Sequence, residues 1–94
     1  MNKDRAMRWI PLTEEHPEFV GAVKYTWGDI EMVTRKVLCQ TRRKEIFVAY
    51  GKRQETEDGK RYWHWYTKGT DGRKMEIRSK VIAWMPLPEF YEEE

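Results

Sequence analysis

The chain has 94 residues and a net charge of +2, and its length allows one domain and no more. Its single cysteine, Cys39, excludes an intrachain disulfide, and no apolar run of about 18 residues is present to span a membrane. The 13 aromatic residues, five of them Trp, supply the bulky burial that a thin core needs.

Residues 1–7 are polar and predict a loose N-terminal segment, with a single β-rich domain over 8–89 and an acidic tail over 90–94. Trp9-Ile10-Pro11-Leu12 reads as a strand end or an edge, because Pro11 cannot donate to a ladder. Thr13-Glu14-Glu15 could start one helical turn with Thr13 as N-cap, and Pro17 disfavours helix at His16. Between 19 and 34 two readings compete. One is a hairpin, Ala22–Trp27 turning through Gly28-Asp29 into Ile30–Val33, and the other is a short helix over 29–36.

Residues 35–41 and 45–53 read as strands joined by Arg42-Arg43-Lys44, short enough for a hairpin although it lacks the usual Asn-Gly or Asp-Gly. On the second strand Ile46, Val48 and Tyr50 share one face, and Phe47 and Ala49 the other. Asp58-Gly59 closes a polar loop before a strand from Lys60 to Thr67. Gly69-Thr70-Asp71-Gly72 is a turn, Lys74–Ile77 a short strand and Lys80–Met85 the last one, ended by Pro86. The fold class predicted is mainly β, with a β-rich α+β variant open: an antiparallel meander of about four to six strands, single-layer or barrel-like, with at most one short helix. The expected core is Trp9, Ile10, Val37, Ile46, Val48, Val81, Trp84 and Leu87. The echo of Trp9-Ile10-Pro11-Leu12 in Trp84-Met85-Pro86-Leu87 predicts that the chain ends close the domain by pairing Trp9 with Trp84.

Catalytic and metal constellations are missing from the sequence. Ser79 is the only serine and has no nucleophile-elbow glycines around it. Cys39 would need a base such as His64 beside it to form thiolate, and otherwise reads as an inert buried thiol. His16 and His64 lie far apart, no Cys or His pair has ligand spacing, and no Gly-rich phosphate loop exists. The expectation is therefore no enzyme, no catalytic residue, no metal and no cofactor.

Two features point to binding. Residues 35–80 hold 14 Lys/Arg against 6 Asp/Glu, while Glu89, Glu92, Glu93 and Glu94 make the C-terminal stretch acidic. Within the basic part, Trp63 and Trp65 alternate with Tyr62, His64 and Tyr66, so a strand presents one set to each face. Only one face of a small antiparallel sheet need be core, which leaves the other set partly exposed beside Lys52, Arg53, Lys60 and Arg61. Exposed rings near cations can stack bases, and the same rings can anchor a protein. The plainer alternatives are a solubilising charged surface, and outer rings covered by residues 19–33 or by a second subunit in a homodimer.

Val81-Ile82-Ala83-Trp84-Met85-Pro86-Leu87-Pro88-Glu89 resembles the C-terminal signature of domain-of-unknown-function family 551, found mainly in phages, prophages and bacteria. Arg8-Trp9-Ile10-Pro11-Leu12-Thr13, followed by Pro17-Glu18, resembles that family's N-terminal signature. Val37-Leu38, Ile46 to Tyr50 and the Trp63–Trp65 strand resemble its middle. The chain departs from the family at 19–33, which look like an insertion, and at Arg42-Arg43-Lys44, where a Gly-containing turn is usual. The resemblance implies a phage-related accessory protein and supplies no site residues. The reading is a non-enzymatic binding module in the host cytoplasm, an anti-defence inhibitor that takes a host protein or a nucleotide signal on an aromatic and basic sheet face. Its partner would otherwise be a phage protein. A single-stranded nucleic-acid binder and a structural or assembly protein are the alternatives. The Met1-Asn2-Lys3-Asp4-Arg5 start, without a following apolar stretch, and the lone cysteine carry the cytoplasmic expectation.

Overall fold

Alternating side chains and closely spaced turns give eight antiparallel strands and no helix in the structure, a computed structural model that describes residues 8–88. The expected loose start and the acidic tail fall outside the described residues. The strands are β1 (Ile10–Pro11), β2 (Phe19–Lys24), β3 (Ile30–Thr34), β4 (Val37–Thr41), β5 (Ile46–Glu55), β6 (Arg61–Lys68), β7 (Lys74–Glu76) and β8 (Val81–Pro86). The mainly-β meander is thus correct, with more strands than the sequence suggested. Residues 19–34 form the hairpin of β2 and β3 rather than a helix. Thr13-Glu14-Glu15 forms a turn and no helix; the amides of Glu14 and Glu15 both donate to the carbonyl of Pro11.

The ten-residue β5 organises the sheet. One of its edges pairs with β6 from Ala49 to Glu55, and β7 continues outward from β6. Its other edge is shared: β4 pairs with Ile46–Ala49 and β3 with Lys52–Glu55. Beyond β4 lie β8 and then β1, and beyond β3 lies β2. Where β3 and β4 part, neither strand pairs with Gly51 on that edge. The buried Thr34 hydroxyl accepts the Gly51 amide at 2.9 Å and donates to the Arg35 carbonyl at 2.8 Å. Thr34→Val keeps the shape and removes the acceptor, so it is expected to cost about 1–3 kcal/mol, the penalty for an orphaned buried donor. A denaturation midpoint equal to that of the parent chain would show that Gly51 finds another partner.

All four hairpins use one turn. In each, a backbone amide donates across the loop to the residue four positions on, and the fourth residue has positive φ: Gly28 (100°), Lys44 (64°), Gly59 (88°) and Gly72 (80°). This is the three-residue loop closed by a left-handed residue, a geometry that matches strand twist. Arg42-Arg43-Lys44 therefore sets the register of β4 and β5 as a glycine turn does, with Gln40 opposite Ile46. An L side chain at a left-handed φ costs about 1–2 kcal/mol, offset in part by the chain entropy that glycine adds to the unfolded state. Lys44→Gly is expected to raise stability by about 0.5–1 kcal/mol, read from the thermal midpoint; a fall in the midpoint would contradict it.

The core forms on one face of this single sheet. Ile10, Val37, Cys39, Ala49, Trp65, Ile77, Val81 and Trp84 are buried together, with Leu12, Phe47 and Trp63 packed against them. Among the described residues no second sheet or helix covers them, so the sheet curls over its own inner face. The loop between β1 and β2 helps to close it, for Pro17 is buried and the Trp84 indole N–H donates to the Glu15 carbonyl at 2.9 Å. The terminal motifs do meet, but Ile10 rather than Trp9 lies opposite Trp84, and Trp9 is half-buried.

Three expected core residues are corrected. Ile46 (59% exposed), Val48 (50%) and Leu87 (37%) face solvent. The reason for the first two is size matching across β5 and β6. Gly51 and Ala49 lie on the inner face, and a Cβ on Gly51 would meet the Trp63 and Trp65 indoles at 3.0–3.1 Å. The inner face of β5 must be small at Gly51 for the tryptophans of β6 to be buried, and strand alternation with Gly51, Ala49 and Phe47 inward turns Ile46 and Val48 outward. Leu87 follows the end of β8, beyond the last pair of Pro86 with Val37, and no strand lies over it.

Candidate functional site

The register of β5 against β6 sorts the aromatic and basic residues onto two faces. Tyr50 lies opposite Tyr66, Lys52 opposite His64 and Gln54 opposite Tyr62, all outward. Gly51 opposite Trp65 and Arg53 opposite Trp63 point inward. The residues expected to form one surface are therefore divided. Tyr62, His64, Tyr66 and Lys52 share the outer face, Trp63, Trp65, Arg53 and Arg61 belong to the inner side, and Lys60 ends the turn between strands, 3.9 Å from Asp58.

The tryptophans are structural. Trp65 is buried, and rings stack in series from His16 to Phe19 (4.6 Å), Phe19 to Trp63 (5.7 Å) and Trp63 to Trp65 (5.6 Å). The Arg53 guanidinium lies over Phe19, 4.8 Å from its centroid. These indole faces are occupied by other protein rings, so a ligand ring cannot stack on them without displacing the core.

The outer face is open. Tyr50 and Tyr66 rings lie 5.7 Å apart, and Lys52 and Lys74 place their ammonium groups 5.6 and 4.7 Å from the centre of the Tyr66 ring. Lys36, Lys68 and Lys74 ring a shallow depression of about 530 Å³ floored by Val48, Tyr50 and Tyr66. Lys52 is held by Glu31 at 3.5 Å, whereas Lys36, Lys68 and Lys74 have no carboxylate partner among the described residues. The His64 ring meets the Glu76 carboxylate at 2.9 Å, and Tyr62 is 47% exposed. Burial, and next the charge of Glu76, push the Tyr66 phenol above its ordinary value, so it is a neutral hydroxyl at pH 7. Tyr50, Lys36, Lys68 and Lys74 were not singled out from sequence. Only Tyr50 carried a readable signal, since it alternates in phase with Lys52 on a strand already recognised.

The inner side of the sheet opens into a cleft of about 930 Å³ between the start of β6, the β7–β8 link and the β1–β2 loop. Arg53, Arg61, Arg78 and Lys80 line it with Trp63, His16 and the hydroxyl residues Thr13 and Ser79. His64 and Ser79 both reach this cleft, yet among the described residues no hydrogen bond joins them. Cys39 is fully buried in the core, and burial pushes its thiol up to about 11, so it stays protonated at neutral pH, away from both histidines' hydrogen bonds. No group of three or more His, Cys, Asp or Glu among the described residues is placed to hold a metal ion.

Fold and surface together define a small all-antiparallel β protein with an aromatic, lysine-rich outer face and an arginine-lined inner cleft. Comparison with protein families, curated proteins and solved structures found no match for this chain.

Proposed function

We propose that the chain is a non-catalytic binding module that takes single-stranded nucleic acid, or a nucleotide cut from it, on the outer face of β5 and β6. The observation that carries this reading is the cross-strand pair of Tyr50 and Tyr66 ringed by Lys36, Lys52, Lys68 and Lys74. Flat phenol rings offer stacking to any base, and lysines spaced around them neutralise the phosphates that link the bases. The resemblance of both chain ends to family 551 supports a phage or prophage accessory role, in which the target would be a nucleic acid or nucleotide signal of the host.

Titration with a fluorescent single-stranded oligonucleotide tests it. Binding is expected at low salt, with a log–log salt slope of about −2 if the three unpaired lysines each displace a counterion. Lys68→Glu combined with Lys74→Glu is expected to remove binding and leave the far-UV spectrum unchanged. No binding of the parent chain at low salt removes the reading.

A second reading, an assembly protein, is favoured by one observation. Among the described residues β2 has a free edge, with Val20 58% and Val23 47% exposed and only Lys24 as a charge along the strand. An unprotected apolar edge is a template for another strand. Sedimentation across protein concentration distinguishes a strict monomer, which sinks this alternative, from a self-associating chain.

A further inference from the structure

We propose that the arginine-lined cleft on the inner side of the sheet is a separate binding site for a small ligand bearing two or more phosphate groups. The proposal does not rest on the outer-face reading, because the cations that line the cleft, Arg53, Arg61, Arg78 and Lys80, do not line the outer depression.

Charge comes first. Arg53 of β5, Arg61 of β6, and Arg78 and Lys80 of the β7–β8 link converge on one concavity. The one carboxylate in its lining is Glu76, and that group is engaged by His64 at 2.9 Å. Glu55 holds Arg61 from outside the lining at 2.7 Å. Arg78 and Lys80 have no carboxylate partner among the described residues. Cations gathered around one concavity repel one another, and an anion between them removes that repulsion. A phosphate monoester carries roughly −1.5 to −2 at pH 7, so two such groups balance the three cations that lack a carboxylate partner among the described residues, Arg53, Arg78 and Lys80.

Arg53 supplies a second, independent observation. Its Nε is buried and has no hydrogen-bond partner. Its Nη2 reaches only the Met32 sulfur at 3.7 Å, a weak acceptor, and its flat face rests on Phe19. A guanidinium presents five donors in a fixed fork that matches two oxygens of a phosphate. A buried donor left unpaired costs about 1–3 kcal/mol, so such a group in a native fold calls for an acceptor that arrives from outside the chain.

Shape sets the size of the ligand. A cleft of about 930 Å³ lies within the range of small-molecule sites, and Leu12, Ile77 and Val81 give it apolar walls beside the hydroxyls of Thr13 and Ser79. This combination suits a nucleoside diphosphate or triphosphate, with phosphates on the arginines and the ring or sugar against the apolar side. Because the indole faces of Trp63 are already stacked, the ring is held by apolar contact and edge contacts rather than by a stack on Trp63.

Isothermal titration with inorganic pyrophosphate, adenosine triphosphate and hexaglutamate tests the site, using the full chain at low salt. Pyrophosphate and adenosine triphosphate are expected to bind one to one, with the nucleotide tighter. Arg78→Ala combined with Lys80→Ala is expected to weaken both at least tenfold while leaving oligonucleotide binding in place. Arg53→Lys keeps the charge, loses the fork and is expected to weaken binding as well, with its fold checked by far-UV circular dichroism. Lys68→Glu combined with Lys74→Glu should leave pyrophosphate affinity unchanged. Three results would overturn the proposal: no heat with either phosphate probe, affinity lost only in the Lys68/Lys74 variant, or hexaglutamate binding as tightly as adenosine triphosphate.

Discussion

Replacing Trp84 with Ala is expected to lower the unfolding free energy by about 3–5 kcal/mol, a large share of the total for a domain of this size. Trp84 is buried at 6% exposure, lies opposite both Ile10 and Cys39, and donates its indole N–H to the Glu15 carbonyl. Its removal opens a cavity where β8, β4, β1 and the covering loop meet. Among the described residues no second layer stands ready to collapse into that space, so the cavity term should stay large. At about 4–8 °C per kcal/mol, the thermal midpoint should fall by at least about 12 °C. Trp84→Phe separates the two contributions, because it keeps most of the ring and loses the hydrogen bond, at a cost nearer about 1 kcal/mol from that bond. A Trp84→Ala chain that melts within a few degrees of the parent would mean that the inner face is not where the core lies.

Two paired substitutions on one ribbon are expected to behave in opposite ways. Trp63→Ala with Trp65→Ala should unfold the chain, because these rings fill the space over Gly51 and extend the stack through Phe19 to His16. Tyr50→Ala with Tyr66→Ala should leave a folded protein that has lost its ligand. Alanine substitution of a stacking ring costs about 1–3 kcal/mol per base, so the double change is expected to weaken oligonucleotide binding by roughly thirtyfold or more. Circular dichroism reports the fold and fluorescence anisotropy the affinity. If the tyrosine variant binds as the parent does, the outer face is not the binding surface, whatever the lysines contribute. Measuring both variants matters because loss of binding alone would not separate a damaged site from a damaged fold.

The turns show how far local sequence reaches. Trp27-Gly28, Asp58-Gly59 and Asp71-Gly72 announce their hairpins, since glycine takes a left-handed φ without steric cost. Arg42-Arg43-Lys44 hides the same turn, because Lys44 takes that conformation at a cost that only the pairing of β4 with β5 can offset. Alternation along residues 46–50 and 62–66 showed that two faces exist, and the Trp-x-Pro-Leu echo showed that the chain ends come together.

What sequence alone determined was therefore the class: short strands, tight turns, a thin aromatic core closed by its ends, and a basic middle. It could not say which face of each strand is buried. The period-2 pattern is symmetric between the faces, and on β5 the bulky Ile46 and Val48 are exposed while Phe47 packs against the core. Tertiary structure decided this by volume, since a residue without Cβ at Gly51 leaves room for the indoles of β6. That one choice placed Tyr50 beside Tyr66, turned Arg53 inward with its Nε unpaired, and divided a single run of aromatic and basic residues between two surfaces. The cleft was beyond sequence for a related reason. Arg53, Arg61, Arg78 and Lys80 come from three segments, and only the curl of the sheet brings them together.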